Sequence, residues 1–282
     1  MKRIKQFENY LKEKELSSGT IEKYLHDITA FEKWNEANSS WGEEATELTR
    51  ERVCEWKQFL LRQDYAPATI NAALAAMNAY ADFMDKPECR LKYVRTQKPG
   101  FIKSERQITR DEYERLICTA RTKGKEQLAL IIETIGATGM RVSELQYVTV
   151  EGITAGSLDI RLKGKDRVIL LPRKLCRKLS KFAKKNKRTT GAIFVTRNGN
   201  PISRKQIWAQ MKKLCAEANV EESKVFPHNL RHLFARMFFA ISHNIAELAD
   251  VLGHSSIETT RIYLRETGQA HRLKLEKLKL VS

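Results

Sequence analysis

The 282-residue chain carries 51 lysines and arginines against 34 acids, giving a net charge of +17 and a pI near 9.7. That length holds two ordinary domains, and the charge excess points to a polyanion partner, because each phosphate neutralised releases condensed counterions. A membrane span and a secretory leader are not expected, since there is no run of about 18 apolar residues and MKRIKQFENYLKEKEL lacks an apolar core.

Residues 1–86 read as helices only. Ile4, Phe7 and Leu11 lead to a break at Ser17-Ser18-Gly19, and Ile21, Tyr24, Ile28, Phe31 and Trp34 then hold a helical stripe. Thr49 can cap a third helix through Val53, Trp56 and Leu60, and Pro67 opens an alanine-rich fourth. Four helices with short joints make a bundle. From Lys86 to Arg106 the helical period is lost, and Pro87, Pro99 and Gly100 punctuate a basic stretch, so 87–106 reads as a positively charged interdomain linker. The second domain, 107–282, begins with Thr109 and Glu112 at capping-box spacing.

Two helices follow, the second ending at Gly139, which places Arg141 at the opening of another. SLDIRL and RVILLP alternate like strands, joined by Lys163-Gly164-Lys165-Asp166, a hairpin with lysines at its tip. Arg173–Arg188 is a helix with Leu175, Leu179 and Phe182 inward and an outer face suited to phosphate or to water. AIFV at 192–195 is a short strand, and a helix after Pro201 carries Ile207, Trp208, Met211 and Leu214.

The most concentrated chemistry lies in FPHNLRHLFARMFFAISHNIAELADVLGHSSIETTRIYLR, which gathers four of the six histidines with several arginines and Tyr263. Pro227 suits a first helical turn, and Leu230, Phe234, Phe238 and Ile241 predict one buried stripe. Asn244 with Glu247, and Ser255 with Glu258, read as capping boxes of two further helices separated by Gly253. His228 and His232 have zinc spacing, yet HNLRH lacks the glutamate of HExxH and Arg231 would repel a dication, so no metal is expected. No nucleotide-binding glycine motif is present, hence no cofactor. Five cysteines without a CxxC pair read as reduced thiols. What remains is a phosphate site: arginines for paired hydrogen bonds, histidines for proton movement, a phenol as nucleophile. Helix, glycine turn, helix would equally suit a regulator's DNA-reading head.

TGMRVSEL, KGKDR, HNLRH, LGHSS and TTRIYL, in that order, resemble the signature of the tyrosine recombinases, the lambda-integrase-like family, and the size resembles its compact Xer-like members. The resemblance implies a mainly α fold with a small β-sheet: a four-helix core-binding bundle, then an α+β catalytic domain. It implies that Arg141 and Arg231 clamp the scissile phosphate, His228 is the base or hydrogen-bonding partner, His254 the second histidine and Tyr263 the nucleophile. Lys163 matches the hairpin general acid; because the tip is one residue shorter than in Xer-type members, Lys165 is the alternative. His232 reads as a structural companion. The partner implied is double-stranded DNA, gripped by a homo-oligomer, a tetramer in synapsis, with a sister recombinase or DNA-bending protein as further possibilities, in the nucleoid of the cytoplasm. The leucines of AHRLKLEKLKLVS suit a strand or a helix, in a tail that docks on a neighbouring protomer or on its own domain.

Overall fold

The computed structural model describes residues 2–38, 48–95, 107–162, 165–264, 272 and 275–278. The chain divides into two compact units, Met1–Lys98 and Pro99–Ser282. In the first, α1 (Lys2–Glu13), α2 (Ser18–Asn38), α3 (Arg50–Arg62) and α4 (Pro67–Phe83) form the expected bundle. Thr49 caps α3 by accepting from the Arg52 N–H, and Pro67 occupies the first turn of α4, where its missing donor costs nothing. Phe7, Ile28, Val53, Leu74 and Met77 are buried at the centre, and the aromatic rings of Trp34, Trp56 and Phe59 pack at centroid separations of 5.3–5.8 Å. Fully buried Ala76 and Ala81 keep α4 slim on its packed side.

Residues 87–95 are held against this bundle. A 3-10 turn at Pro87–Cys89 is followed by buried Leu91, whose N–H and carbonyl are both bonded by the Asn78 side chain, at 2.9 and 3.1 Å. Asn71 pairs with Val94 in the same way, at 2.7 and 3.0 Å. Arg50 donates to the carbonyls of Glu88 and Arg90, so this arginine is a strut for the segment. The rest of the stretch read as a linker, 96–106, lies outside the described residues.

The second unit runs α5 (Arg110–Thr122), α6 (Glu126–Thr138), a 3-10 helix at Val142–Tyr147, α7 (Val150–Ala155), β1 (Ser157–Leu162), β2 (Lys165–Leu170), α8 (Arg173–Lys185) and α9 (Arg204–Lys212). It closes with α10 (Pro227–Ser242), α11 (Ile245–Leu252), α12 (Ile257–Arg261) and a 3-10 turn at Ile262–Leu264. The Thr109 capping box is formed in full, and α6 ends at Gly139 with φ of 62°. β1 and β2 are antiparallel, with Ile160 opposite Arg167 and Leu162 opposite Lys165, and are the only sheet among the described residues. Leu128, Ile131, Ile135, Ile160, Leu179, Phe194, Ile207 and Leu230 share one core. Among the described residues no helix is long and apolar enough to cross a membrane.

Several local expectations are corrected. Lys165 and Asp166 belong to β2, so the joint of the hairpin is shorter than the sequence suggested. Residues 192–195 form no strand, only bridges Thr149↔Ala192 and Val195↔Pro201; a proline has no N–H to extend a ladder. Ser256, not Ser255, caps α12, because the turn that closes α11 runs through His254 and leaves Ser255 outside the helix. The α10 stripe fades along its length: Leu230 is fully buried, Phe234 and Phe238 are half-buried, and Ile241 is 83% exposed. On α9 Ile207 and Met211 are fully buried, whereas Trp208 is 48% exposed. Of the C-terminal tail, 275–277 are helical, with Leu275 and Leu278 exposed.

Candidate active site

The site is organised by the end of one short helix. Asn244 starts α11 by accepting from the N–H groups of Ala246 and Glu247, at 3.0 and 3.2 Å. Gly253, in the left-handed region at φ of 63°, stops it, and the His254 N–H reaches back to the Ala249 carbonyl at 2.9 Å. The last carbonyls of a helix lack intrahelical donors and carry the negative end of its dipole. Here each of three successive carbonyls takes a guanidinium. Val251 O accepts from Arg167 Nη2 at 2.7 Å, Leu252 O from Arg231 Nη2 at 2.7 Å, and Gly253 O from Arg141 Nη2 at 3.2 Å.

Arg231 is the floor of the site, 1% exposed on α10. Its Nη1 donates to the Gly139 carbonyl, and its Nη2 also donates to His254 Nε2 at 2.8 Å. Burial first, and the charge of Arg141 second, pull its pKa down to about 10, so it stays cationic at neutral pH. Because His254 Nε2 accepts, the ring proton sits on Nδ1, which donates to the hydroxyl of Thr260 at 2.9 Å. Thr260 is wholly buried. Burial and then Arg231 lower the His254 pKa to about 4, which keeps this tautomer neutral.

Tyr263, 5% exposed, packs over this floor, with the Arg231 guanidinium carbon 5.8 Å from its ring centre. Its hydroxyl lies 3.4 Å from His228 Nε2, a long contact of the kind that tightens when substrate arrives. Burial, and then the charges of Arg231, Arg141 and Arg204, lower the His228 pKa, so the neutral, proton-accepting form prevails at pH 7. The His232 ring stacks against the Tyr263 ring at 4.2 Å and 27°, and burial pushes the His232 pKa down to about 4. Three neutral imidazoles beside three guanidiniums suit an anion, and among the described residues no acid or histidine cluster could hold a metal ion.

Arg141 is the exposed counterpart of Arg231, its side chain 43% accessible. Glu144 holds it from behind: the carboxylate accepts from the Arg141 backbone N–H at 2.7 Å and from Nη1 at 3.0 Å. Arg141 thus faces two cavities. One of about 900 Å³ is bordered by Arg167, Gly253 and His254, and another of about 370 Å³ by Arg204, Trp208, His228 and Arg231.

Of the six residues that the sequence singled out, the structure brings together Arg141, His228, Arg231, His254 and Tyr263. Lys163 lies outside the described residues, and Lys165 is placed in β2. Three partners were missed. Glu144 stands three residues after Arg141, a capping-box spacing that marked it. Arg167 shares the inward register of Ile169, where an arginine needs a buried acceptor. Thr260 gave no signal, since a threonine within a short helix is unremarkable. His232, read as a companion, is in direct contact with the tyrosine.

With this geometry in view, two family models match: the phage integrase family over residues 106–269 and the phage integrase N-terminal SAM-like domain over 4–86. Tyrosine recombinase XerD of Halalkalibacterium halodurans is 27% identical over 281 residues, covering 94% of this chain and 93% of the relative. Tyrosine recombinase XerA of Pyrococcus furiosus is 28% identical over 286 residues, covering 99% and 94%. Among solved structures, a lambda integrase (75-356) dimer bound to a COC′ core site shares the fold at a TM-score of 0.71 and 15% identity, over 95% of each chain. XerH site-specific recombinase bound to difH, a pre-cleavage complex, gives 0.69 and 18%, over 93% of this chain and 80% of that one. The first match alone covers more than half of the chain, which belongs to the phage integrase family and is a tyrosine recombinase.

Proposed function

We propose that Tyr263 is the nucleophile with which this tyrosine recombinase cuts and rejoins DNA, and that the side chains gathered at the end of α11 serve that step. One observation carries the reading: the Tyr263 hydroxyl lies 3.4 Å from a neutral imidazole, and its ring packs on a guanidinium anchored on backbone carbonyls. In the forward step the Tyr263 oxygen bonds to the scissile phosphorus and its proton passes to His228 Nε2. The bond from phosphorus to the 5′ oxygen breaks, and that oxygen takes a proton from the hairpin lysine, Lys163 by its motif or Lys165 beside it. Arg141 and Arg231 hold the non-bridging oxygens as charge builds on them, and His254 keeps the Nη2 edge of Arg231 in place. The 3′-phosphotyrosyl ester conserves the energy of the phosphodiester, so an incoming 5′ hydroxyl can reverse the step with neither ATP nor a metal ion.

In the same reading residues 1–86 and 107–282 both grip the duplex and 87–106 joins them, with the charge of +17 drawing in the polyanion. A lambda integrase has been solved as a dimer on a core site and as a tetramer bound to a Holliday junction. By that likeness this chain works as a homo-oligomer assembled on DNA, a tetramer in synapsis; the family resemblance adds a tail that docks on a neighbour or on its own domain, and a place in the nucleoid of the cytoplasm. A duplex nicked close to the cleavage point tests the chemistry. The strand beyond the nick diffuses away, so a protein–DNA adduct accumulates on denaturing gels and Tyr263→Phe abolishes it; an adduct that survives the substitution overturns the assignment.

A further inference from the structure

Arg231 and Arg141, two of the three guanidiniums on the end of α11, clamp phosphate in the reading above, and the third, Arg167, has no task in it. We propose that Arg167 is a positioning residue that locks the β1–β2 hairpin to both the Arg141 and the His254 edges of the site. The inference rests on the reading of Arg141 and Arg231 as the clamp.

Arg167 leaves β2 on the inward side, opposite Ile160. Its Nη1 donates to both Glu144 oxygens, at 2.9 and 3.0 Å, and its Nη2 to Val251 O at 2.7 Å. Its side chain is only 10% exposed and that of Glu144 3%. Little of its guanidinium is left to meet DNA. It acts instead through what it touches. Glu144 is shared between Arg167 and Arg141, so the position of one guanidinium sets that of the other. The stem of Arg167 lies flat on Gly253, the residue that hands its carbonyl to Arg141 and precedes His254. A Cβ on Gly253 would stand 2.5 Å from Arg167 Cδ, so the glycine serves this contact as well as its φ of 63°. Lys165, the alternative proton donor of that reading, stands two residues before Arg167 in β2, so that donor and the clamp share one fastening.

The charges make the consequence specific. Glu144 balances two arginines; with Arg167 gone, a buried carboxylate has Arg141 alone and draws that guanidinium away from the phosphate. Removing the carboxylate charge as well relieves this pull. The test is single-turnover cleavage of the nicked duplex at saturating DNA by the full chain carrying Arg167→Met, Glu144→Gln or both, with DNA affinity measured in parallel. Arg167→Met is expected to slow cleavage about 10²-fold while affinity stays within about threefold. The double variant is expected to cleave no more slowly than Arg167→Met alone, a recovery that loss of packing does not produce. Multiplying deficits, or a fall in affinity that matches the fall in rate, would overturn the proposal. If Arg167→Met does not fold by circular dichroism, Arg167→Lys decides in the same cycle: a lysine keeps the charge but not the three bonds, and normal cleavage by it refutes the role. Should Tyr263→Phe still form adduct, or Arg141→Ala cleave normally, it is the clamp reading that fails; if those behave as expected and the Arg167 cycle does not, only the present inference falls.

Discussion

Two basic regions of the second unit use charge in opposite ways. Helix α8 carries Lys174, Arg177, Lys181 and Lys184 on an exposed face, while Lys178 and Lys185 bend to Glu133 and Glu126 of α6. At the end of α11 there are three cations against the seven of α8, each fixed to a backbone carbonyl. Exposed ammonium groups on flexible stems attract a polyanion from a distance and are screened by salt. Anchored guanidiniums lose that reach but need no reorganisation as charge develops between them, and this is what lowers a barrier. Number suits affinity, whereas placement suits rate.

The sharpest way to break the contrast is Arg231→Lys. Lysine keeps the charge but cannot span Gly139, Leu252 and His254 together. Cleavage of the nicked duplex is expected to fall about 10³-fold at saturating DNA, with affinity within about threefold. Equal losses of rate and affinity would show that charge alone matters there. Next is Thr260→Val, which keeps the volume and removes the acceptor for His254 Nδ1. With the tautomer no longer fixed, the rate is expected to drop about 10- to 10²-fold and Thr260→Ser to restore most of it. A valine variant as fast as the parent would leave the hydroxyl without a role.

The same contrast explains what was legible in the sequence. Helices in the bundle announce themselves through stripes such as Ile21, Ile28 and Phe31, and through caps such as Thr49, because those signals are local. The candidate set was legible through motifs whose order along the chain survives, but what fixes each side chain was not. Carbonyls of Gly139, Val251 and Leu252 have no side-chain identity, so no pattern marks them as acceptors. Thr260 matters only because a turn ending at Gly253 folds His254 back over it. Residues 87–95 misled for a related reason: their partners, Asn71 and Asn78, lie a helix away, and amide side chains imitate a neighbouring strand without any periodicity of their own.

Burial at the site also sets a pH limit on the fold. His232 and His254 have pKa values near 4 when folded against about 6.5 in an unfolded chain. Between these values the unfolded state binds more protons, so stability is fully present above about pH 6.5 and is lost as pH falls toward 4. From pH 7 to pH 5 His232 alone is expected to cost on the order of 1–2 kcal/mol in urea unfolding, and His254, partly open to solvent, less. His232→Phe keeps the ring against Tyr263 and should flatten that slope, while an unchanged slope would show that the imidazole is not held neutral.

The smallest effect per residue is expected on α8. Lys174, Lys181 and Lys184 replaced together by glutamine leave the inner face of Leu175, Leu179 and Phe182 untouched, and the melting temperature should stay close to that of the parent. If all three meet phosphates, the slope of log affinity against log salt becomes shallower by about 2.7, at roughly 0.9 per contact, and affinity falls most at low salt. The single-turnover rate at saturating DNA should stay within about twofold, because none of these ammonium groups touches the residues around Tyr263. A slope that does not move assigns the face to solvation, and the attraction would then come from basic residues elsewhere. A rate that falls with the slope unchanged would erase the distinction itself, since it would make the distant, exposed charges part of the chemistry proposed for the anchored arginines.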